Sequence, residues 1–172
     1  KMSKEKYSFQ AEVGKILDVV AHSLYSQSEV FLREYISNAS DACDKLRYEA
    51  IKNPNLLDDN TDLKIEIVVD SKNKALTIKD NGIGMSKDDL IESLGTIARS
   101  GTEMFMKQIN EQNEKNNNLS LIGQFGVGFY SGFMVAKNIK VISKKAGSND
   151  SWSWVSEGKG EYVIEQDKKK TR

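Results

Sequence analysis

The chain has 172 residues, 38% of them hydrophobic and 29% charged, which suits one soluble globular domain with a substantial core. Lysine plus arginine and aspartate plus glutamate both total 25, so net charge recommends neither nucleic acid nor an acidic membrane surface as a partner. The single cysteine, Cys43, excludes an internal disulfide and fits a reducing compartment. The opening KMSKEKYSFQ lacks the apolar centre of a signal peptide, and no apolar run is long enough to span a membrane.

In chain order, residues 7–10 are expected as a short strand and 11–25 as an amphipathic helix, with Val13, Ile16, Leu17, Val20 and Leu24 on one side. His22 is the only histidine and reads as structural. A long helix over 28–51 follows, with Ser28 as its cap and Glu29 in its first turn. Phe31, Tyr35, Ala39, Ala42 and Leu46 form its apolar stripe. Glu34, Asn38, Asp41 and Lys45 form a polar line about a quarter turn away, at the margin of the core. That line is either a solvated face, with Asp41 and Lys45 as an ion pair, or one wall of a cleft. The helix fades before the lone proline, Pro54.

Residues 63–70 and 75–80 alternate in hydrophobicity around a short polar link, the pattern of a β-hairpin. Helices are expected over 87–94 and 102–110, then a polar, asparagine-rich loop or hinge over 110–118. Strands are expected over 138–144, 151–156 and 161–165, and the lysine run at 168–170 reads as a solvated tail or turn. No repeat and no second domain is visible.

Three separated pieces carry the site signal. Asp80-Asn-Gly-Ile-Gly-Met85 follows a strand; its carboxylate can accept from an exocyclic amine, and Met85 offers a soft apolar surface. Gly95-Thr-Ile-Ala-Arg-Ser-Gly-Thr102 brings hydroxyls and one cation between glycines. Gly123-Gln-Phe-Gly-Val-Gly-Phe129 allows close backbone approach to an anion, with a helix starting inside it. Each also has a plainer reading as a turn. The last is neither a Walker-type loop, since no Gly-Lys-Ser/Thr follows, nor a dinucleotide fingerprint, since the strand-then-helix setting is missing. Together with the long helix they describe one cleft. There Asp80 reads a base, the glycine loop meets phosphates, Asn38 suffices as a magnesium ligand, and Glu34 orients or deprotonates water.

These pieces occur as FLREYISNASDACDKLR, DNGIGM, LGTIARSGT and IGQFGVGFYSGFMVA. In that order and spacing, the sequence resembles the nucleotide-binding domain of the ninety-kilodalton heat-shock protein chaperones. It looks nearest their bacterial branch, with the mitochondrial branch a near second. The wider GHKL ATPase superfamily also holds type II topoisomerase subunits, mismatch-repair ATPases and histidine kinases. The resemblance implies an α+β fold: a two-layer sandwich, helices over one face of a mixed, mostly antiparallel sheet. It implies a single nucleotide-binding domain over 1–172, with an ATP lid at about 95–124. It implies ATP or ADP with Mg2+ as ligands, client proteins and a homodimer as the partners of the longer protein, and a cytoplasmic or organellar setting.

Residue by residue, the resemblance makes Glu34 the general base and Asn38 the magnesium ligand, with Asp41, Ala42 and Lys45 beside them on the helix. Asp80 accepts from the adenine amine near Gly84, while Met85, Ser93 and Leu94 line the pocket together with Ala42. Arg99, Ser100 and Gly101 lie toward the phosphates, as do Gly123, Gln124, Phe125, Gly126, Val127, Gly128 and Phe129. Tyr35, Ser93 and Arg99 replace a leucine, an asparagine and a lysine common in the family. Family members continue into a middle domain that supplies a catalytic arginine, so turnover by this domain alone is expected to be very slow. The chain stops at Thr171-Arg172, where the last pocket strand is expected to be incomplete. The alternatives are a nucleotide-binding fragment without useful turnover, or another ATPase of the superfamily such as a histidine kinase or topoisomerase subunit.

Overall fold

The computed structural model describes residues 3–9, 14, 17, 29–95, 128–169 and 171–172. The expected helix over 102–110, the loop over 110–118, His22 and Ser28 lie outside them. Of the helix expected over 11–25, Gly14 and Leu17 are described, and both are helical.

Helix α1, Val30–Lys52, carries the first half of the fold. Glu29 occupies its cap position rather than its first turn and makes no side-chain cap. The Leu32 N–H is satisfied instead by the Glu29 carbonyl, at 3.2 Å. Ala39, Cys43, Leu46 and Ala50 are its buried residues, at spacings of four, three and four, and Leu46 is 0% exposed. Phe31, Tyr35 and Ala42 are half-buried, so the core-facing line runs one residue further round than the expected stripe and takes in Cys43. Burial pushes the Cys43 thiol up, and the field of Asp80 adds to the shift. Among the described residues the ion pair within this helix is Asp44 with Arg47 at 2.6 Å, rather than Asp41 with Lys45. A short 3-10 helix, Pro54–Leu57, follows as the lone proline requires.

Strands β2, Ile65–Asp70, and β3, Ala75–Asp80, form the expected hairpin. Its register pairs Ile67 with Ile78 and Val69 with Leu76 on one face, and Glu66 with Lys79 on the other. The Asp70 carboxylate closes the turn by accepting from the Asn73 backbone at 3.1 Å and its side-chain amide at 2.8 Å. The hairpin packs on α1 and forms a two-stranded sheet of its own.

The other sheet has four antiparallel strands in the order β1-β6-β5-β4, comprising β1, Lys4–Ser8, β4, Ile139–Lys144, β5, Ser151–Ser156, and β6, Glu161–Asp167. All strand pairs among the described residues are antiparallel. Alternation turns Trp154, Tyr162 and Ile164 to one face. Helix α2, Lys87–Gly95, and a 3-10 helix, Gly128–Met134, cover that face with Leu90, Leu94, Tyr130 and Met134. Phe9, Trp154 and Tyr162 make tilted, edge or stacked ring contacts at 4.9–6.1 Å, and Trp154 is 0% exposed. The result is the α+β arrangement of helices over antiparallel sheet. Among the described residues no helix is long and apolar enough to cross a membrane.

Candidate functional site

Helix α1 is where the expected pieces meet. At its C-terminal half, the Ile83 N–H donates to the Ala42 carbonyl at 3.0 Å, laying the turn after β3 on the helix. A Cβ on Gly82 would stand 2.6 Å from both the Ala42 oxygen and the Cys43 nitrogen, so only glycine lets the two backbones approach this closely. The same turn is tied on its far side to β4 and the turn that follows it. The Ile83 carbonyl accepts from Ala146 at 2.8 Å, and the Met85 N–H donates to the Ser143 hydroxyl at 2.8 Å. Gly84, at φ +70°, sits where a Cβ would strike the Lys144 backbone.

Within this turn Asp80 is half-buried, and its Oδ1 accepts from the Gly82 N–H at 2.9 Å. Its Oδ2 takes no hydrogen bond among the described residues, and the Asp80 charge is felt by the half-buried Lys169. Asn81 is buried behind it. The Asn81 side chain accepts from the Lys64 N–H and donates to the Asp62 carbonyl, both at 2.8 Å. Met85 is half-buried beside the core, and Ser86 with Asp89 caps α2 reciprocally at 2.9 and 3.1 Å.

Near the N-terminal end of α1 the third piece arrives. A Cβ on Gly128 would collide with the Glu34 Oε2 and stand 3.2 Å from the Glu34 Cβ, so the glycine backbone lies flat against that carboxylate. One residue along, the Tyr35 hydroxyl donates to the Phe129 carbonyl at 2.6 Å. Burial, with the neighbouring Tyr130, pushes the Tyr35 phenol far above its ordinary value and keeps it a donor. Glu34 and Ala42 are eight residues apart, about 12 Å of helix rise. Base, ribose and three phosphates can bridge that span.

Asn38, Asp41 and Lys45 are exposed on α1 between and beyond these two junctions. Ser93 is exposed on α2, whereas Leu94 is 6% exposed within the core, its carbonyl accepting from the Tyr130 hydroxyl at 2.5 Å. The Phe129 ring also belongs to the core, against Tyr35, Tyr130 and Trp154. Arg99, Ser100, Gly101, Gly123, Gln124, Phe125, Gly126 and Val127 lie outside the described residues, as does all of the expected lid except Gly95. The sequence reading missed Asn81, although it lies inside the DNGIGM motif, and missed the hydroxyl of Tyr35 as a tie. In the sequence the lysine run reads as a solvated tail or turn. Lys168 is exposed, but Lys169 is half-buried, and both backbone N–H groups are drawn onto the Asp167 carboxylate.

The family described as Histidine kinase-, DNA gyrase B-, and HSP90-like ATPase matches residues 25–170, and the chain belongs to it. Its relatives include the Chaperone protein HtpG of Roseobacter denitrificans, 57% identical over 162 residues. Those of Paramagnetospirillum magneticum and Rickettsia typhi are 58% and 56% identical over 163 residues. The alignments cover 94–95% of this chain and 26% of each relative, so the chain spans about a quarter of the length of these chaperones. The resemblance to the heat-shock chaperones carried by the four motifs is borne out.

Proposed function

We propose that this chain binds ATP along α1 and hydrolyses it as the nucleotide module of a molecular chaperone. The observation that carries the reading is the double docking on one helix: the Asp80 turn at Ala42 and the Gly128 backbone at Glu34. In this reading the free Asp80 oxygen accepts from the adenine amine. The pinned Gly82–Gly84 backbone and Met85 shape the base pocket. The glycine loop ending at Gly128 lines the phosphates, with Arg99, Ser100 and Gly101 on the lid side.

Glu34 lies against Gly128 at the phosphate end and takes the proton of the attacking water. The exposed carboxamide of Asn38, one turn from Glu34, fits as the one protein ligand of Mg2+, an ion that binds chiefly to phosphate oxygens and water. When bound, Mg2+ supplies charge neutralisation at the phosphates. Asp41 and Lys45 flank the nucleotide on the same helix, and residues 95–124 form a lid that closes over it. The longer protein works as a cytoplasmic homodimer on client proteins, without nucleic acid or membrane as partner. This domain alone turns over very slowly, because an arginine supplied from elsewhere is worth about 10³–10⁵ in rate in other phosphoryl transfers.

Paired variants test the assignment. Glu34→Ala is expected to keep ATP affinity while hydrolysis falls about 10²–10⁴-fold, and Asn38→Ala to lose the magnesium-dependent part of binding. Calorimetry and phosphate release read the two effects. Near-normal turnover in Glu34→Ala contradicts the general base, and lost affinity in that variant makes Glu34 a ligand contact instead.

A further inference from the structure

Among the described residues Arg172 is the charged residue that is buried, with a side chain 3% exposed. Its guanidinium is spread over main-chain carbonyls. Nε donates to the Asn81 oxygen at 2.9 Å, Nη1 to the Leu57 oxygen at 2.6 Å, and Nη2 to the Asn60 oxygen. The Asp58 carboxylate, at 3.4 Å and itself half in water, is its ion-pair partner. Burying a guanidinium costs free energy unless its donors are met, and here all three nitrogens of the fork reach carbonyls, drawn from two segments.

The Asn81 carbonyl belongs to the same peptide unit as the Gly82 N–H, which donates to Asp80 Oδ1. That peptide plane is therefore gripped at both ends: Arg172 holds its oxygen and Asp80 holds its hydrogen. A cation on the oxygen polarises the amide and strengthens what its N–H gives to the carboxylate. The Asn81 side chain, fixed to Lys64 and Asp62, stops the plane from rotating about its neighbours. The arrangement leaves one Asp80 oxygen occupied and the other aimed by a chain of fixed groups.

We infer that Arg172 is a positioning residue for base recognition: through the Asn81–Gly82 peptide it orients the carboxylate of Asp80 toward the exocyclic amine of adenine. This rests on the reading of Asp80 as the base acceptor. Arg172 touches no ligand itself. Its effect falls on the choice between bases, because inosine carries a carbonyl oxygen where adenine carries the amine that Asp80 accepts from.

The test compares binding of ATP and inosine triphosphate by calorimetry in the wild-type protein, in Arg172→Lys and in Arg172→Gln. Thermal unfolding and hydrogen exchange at the Gly82 amide are measured on the same samples. The wild type is expected to prefer ATP roughly 10–150-fold. Lysine keeps the charge but cannot bridge three carbonyls, so in both variants the preference is expected to fall by about tenfold. The Gly82 amide is expected to exchange faster even without nucleotide. A lower melting temperature with the ATP preference intact overturns the inference, and so does failure of both variants to fold, since either makes Arg172 a residue of stability alone. A wild-type protein without the preference sinks the reading of Asp80, and the inference falls with it. Which protein shows the failure tells the two cases apart.

Discussion

The two ends of the candidate site are fastened to α1 by different kinds of bond. At the base end the ties are backbone to backbone, Ile83 to Ala42 at 3.0 Å and Gly82 pressed on the Ala42 and Cys43 main chain, while Ala146 to Ile83 at 2.8 Å and Gly84 against Lys144 fasten the turn's other side. At the phosphate end the tie runs through a side chain, the Tyr35 hydroxyl on the Phe129 carbonyl, with the Glu34 carboxylate in close contact with the Gly128 backbone. Backbone ties have no rotamers to lose and fix geometry before a ligand arrives. Side-chain ties can release and re-form. On the proposed reading, a rigid base end beside an adjustable phosphate end would draw affinity from one and control turnover at the other.

If that contrast is right, the largest structural effect belongs to a glycine at the base end. Gly82→Ala forces a methyl against the Ala42 and Cys43 backbone, where nothing can swing aside. We expect a loss of about 1–3 kcal/mol in stability together with loss of nucleotide binding, read by thermal unfolding and calorimetry. A folded Gly82→Ala protein with wild-type affinity breaks the contrast.

Tyr35→Phe removes the phosphate-end tie and little volume. A drop of about 1 kcal/mol in stability is expected, with turnover reduced more than affinity. Phosphate release set beside calorimetry checks this, and the opposite ratio contradicts it.

Lys145→Met should do least. Lys145 pairs with Asp89 at 2.8 Å where α2 leaves the base end, and both side chains are more than a third exposed. Burial pushes the Asp89 carboxyl up, but hydrogen bonds from Lys145 and Ser86 outweigh it and hold the group below its ordinary value. Asp89 therefore contributes stability above the unfolded carboxyl range, and that contribution is lost as pH falls through the lower folded value. Removing Lys145 is expected to flatten part of this acid dependence and to cost less than about 1 kcal/mol near neutrality. Unfolding followed from pH 7 downward reads it, and an unchanged acid limb contradicts the pairing.

What the sequence reveals follows the same division. Strands β2 to β6 are legible because side-chain alternation is local; SWSWVS gives β5 its bounds without error. The length of α1 is legible from its periodicity, although the buried line is displaced to include Cys43. The candidate residues Glu34, Asn38 and Asp80 are legible because their chemistry and spacing stand out. The ties between segments are not. A helix carbonyl that accepts an extra N–H, as at Ala42, leaves no mark in composition. Arg172 is the sharpest case, since nothing nearby in sequence announces that this arginine lies buried on carbonyls more than a hundred residues earlier. The hairpin itself is legible, and among the described residues it pairs apart from the other four strands. Its separate pairing depends on tertiary placement, which alternation does not encode.

The central claim is that Asp80 faces the base of a nucleotide lying along α1. Calorimetric titration of magnesium-ATP into the folded wild type and into Asp80→Asn tests it most directly. Replacing the carboxylate by an amide turns an acceptor toward adenine into a possible donor, and losing a charge-assisted hydrogen bond costs about 1.5–3 kcal/mol of binding. The account predicts saturable binding by the wild type and a loss of at least that size in the variant, with unchanged unfolding temperature. Equal affinity in the two proteins would contradict it and remove Asp80 from the site.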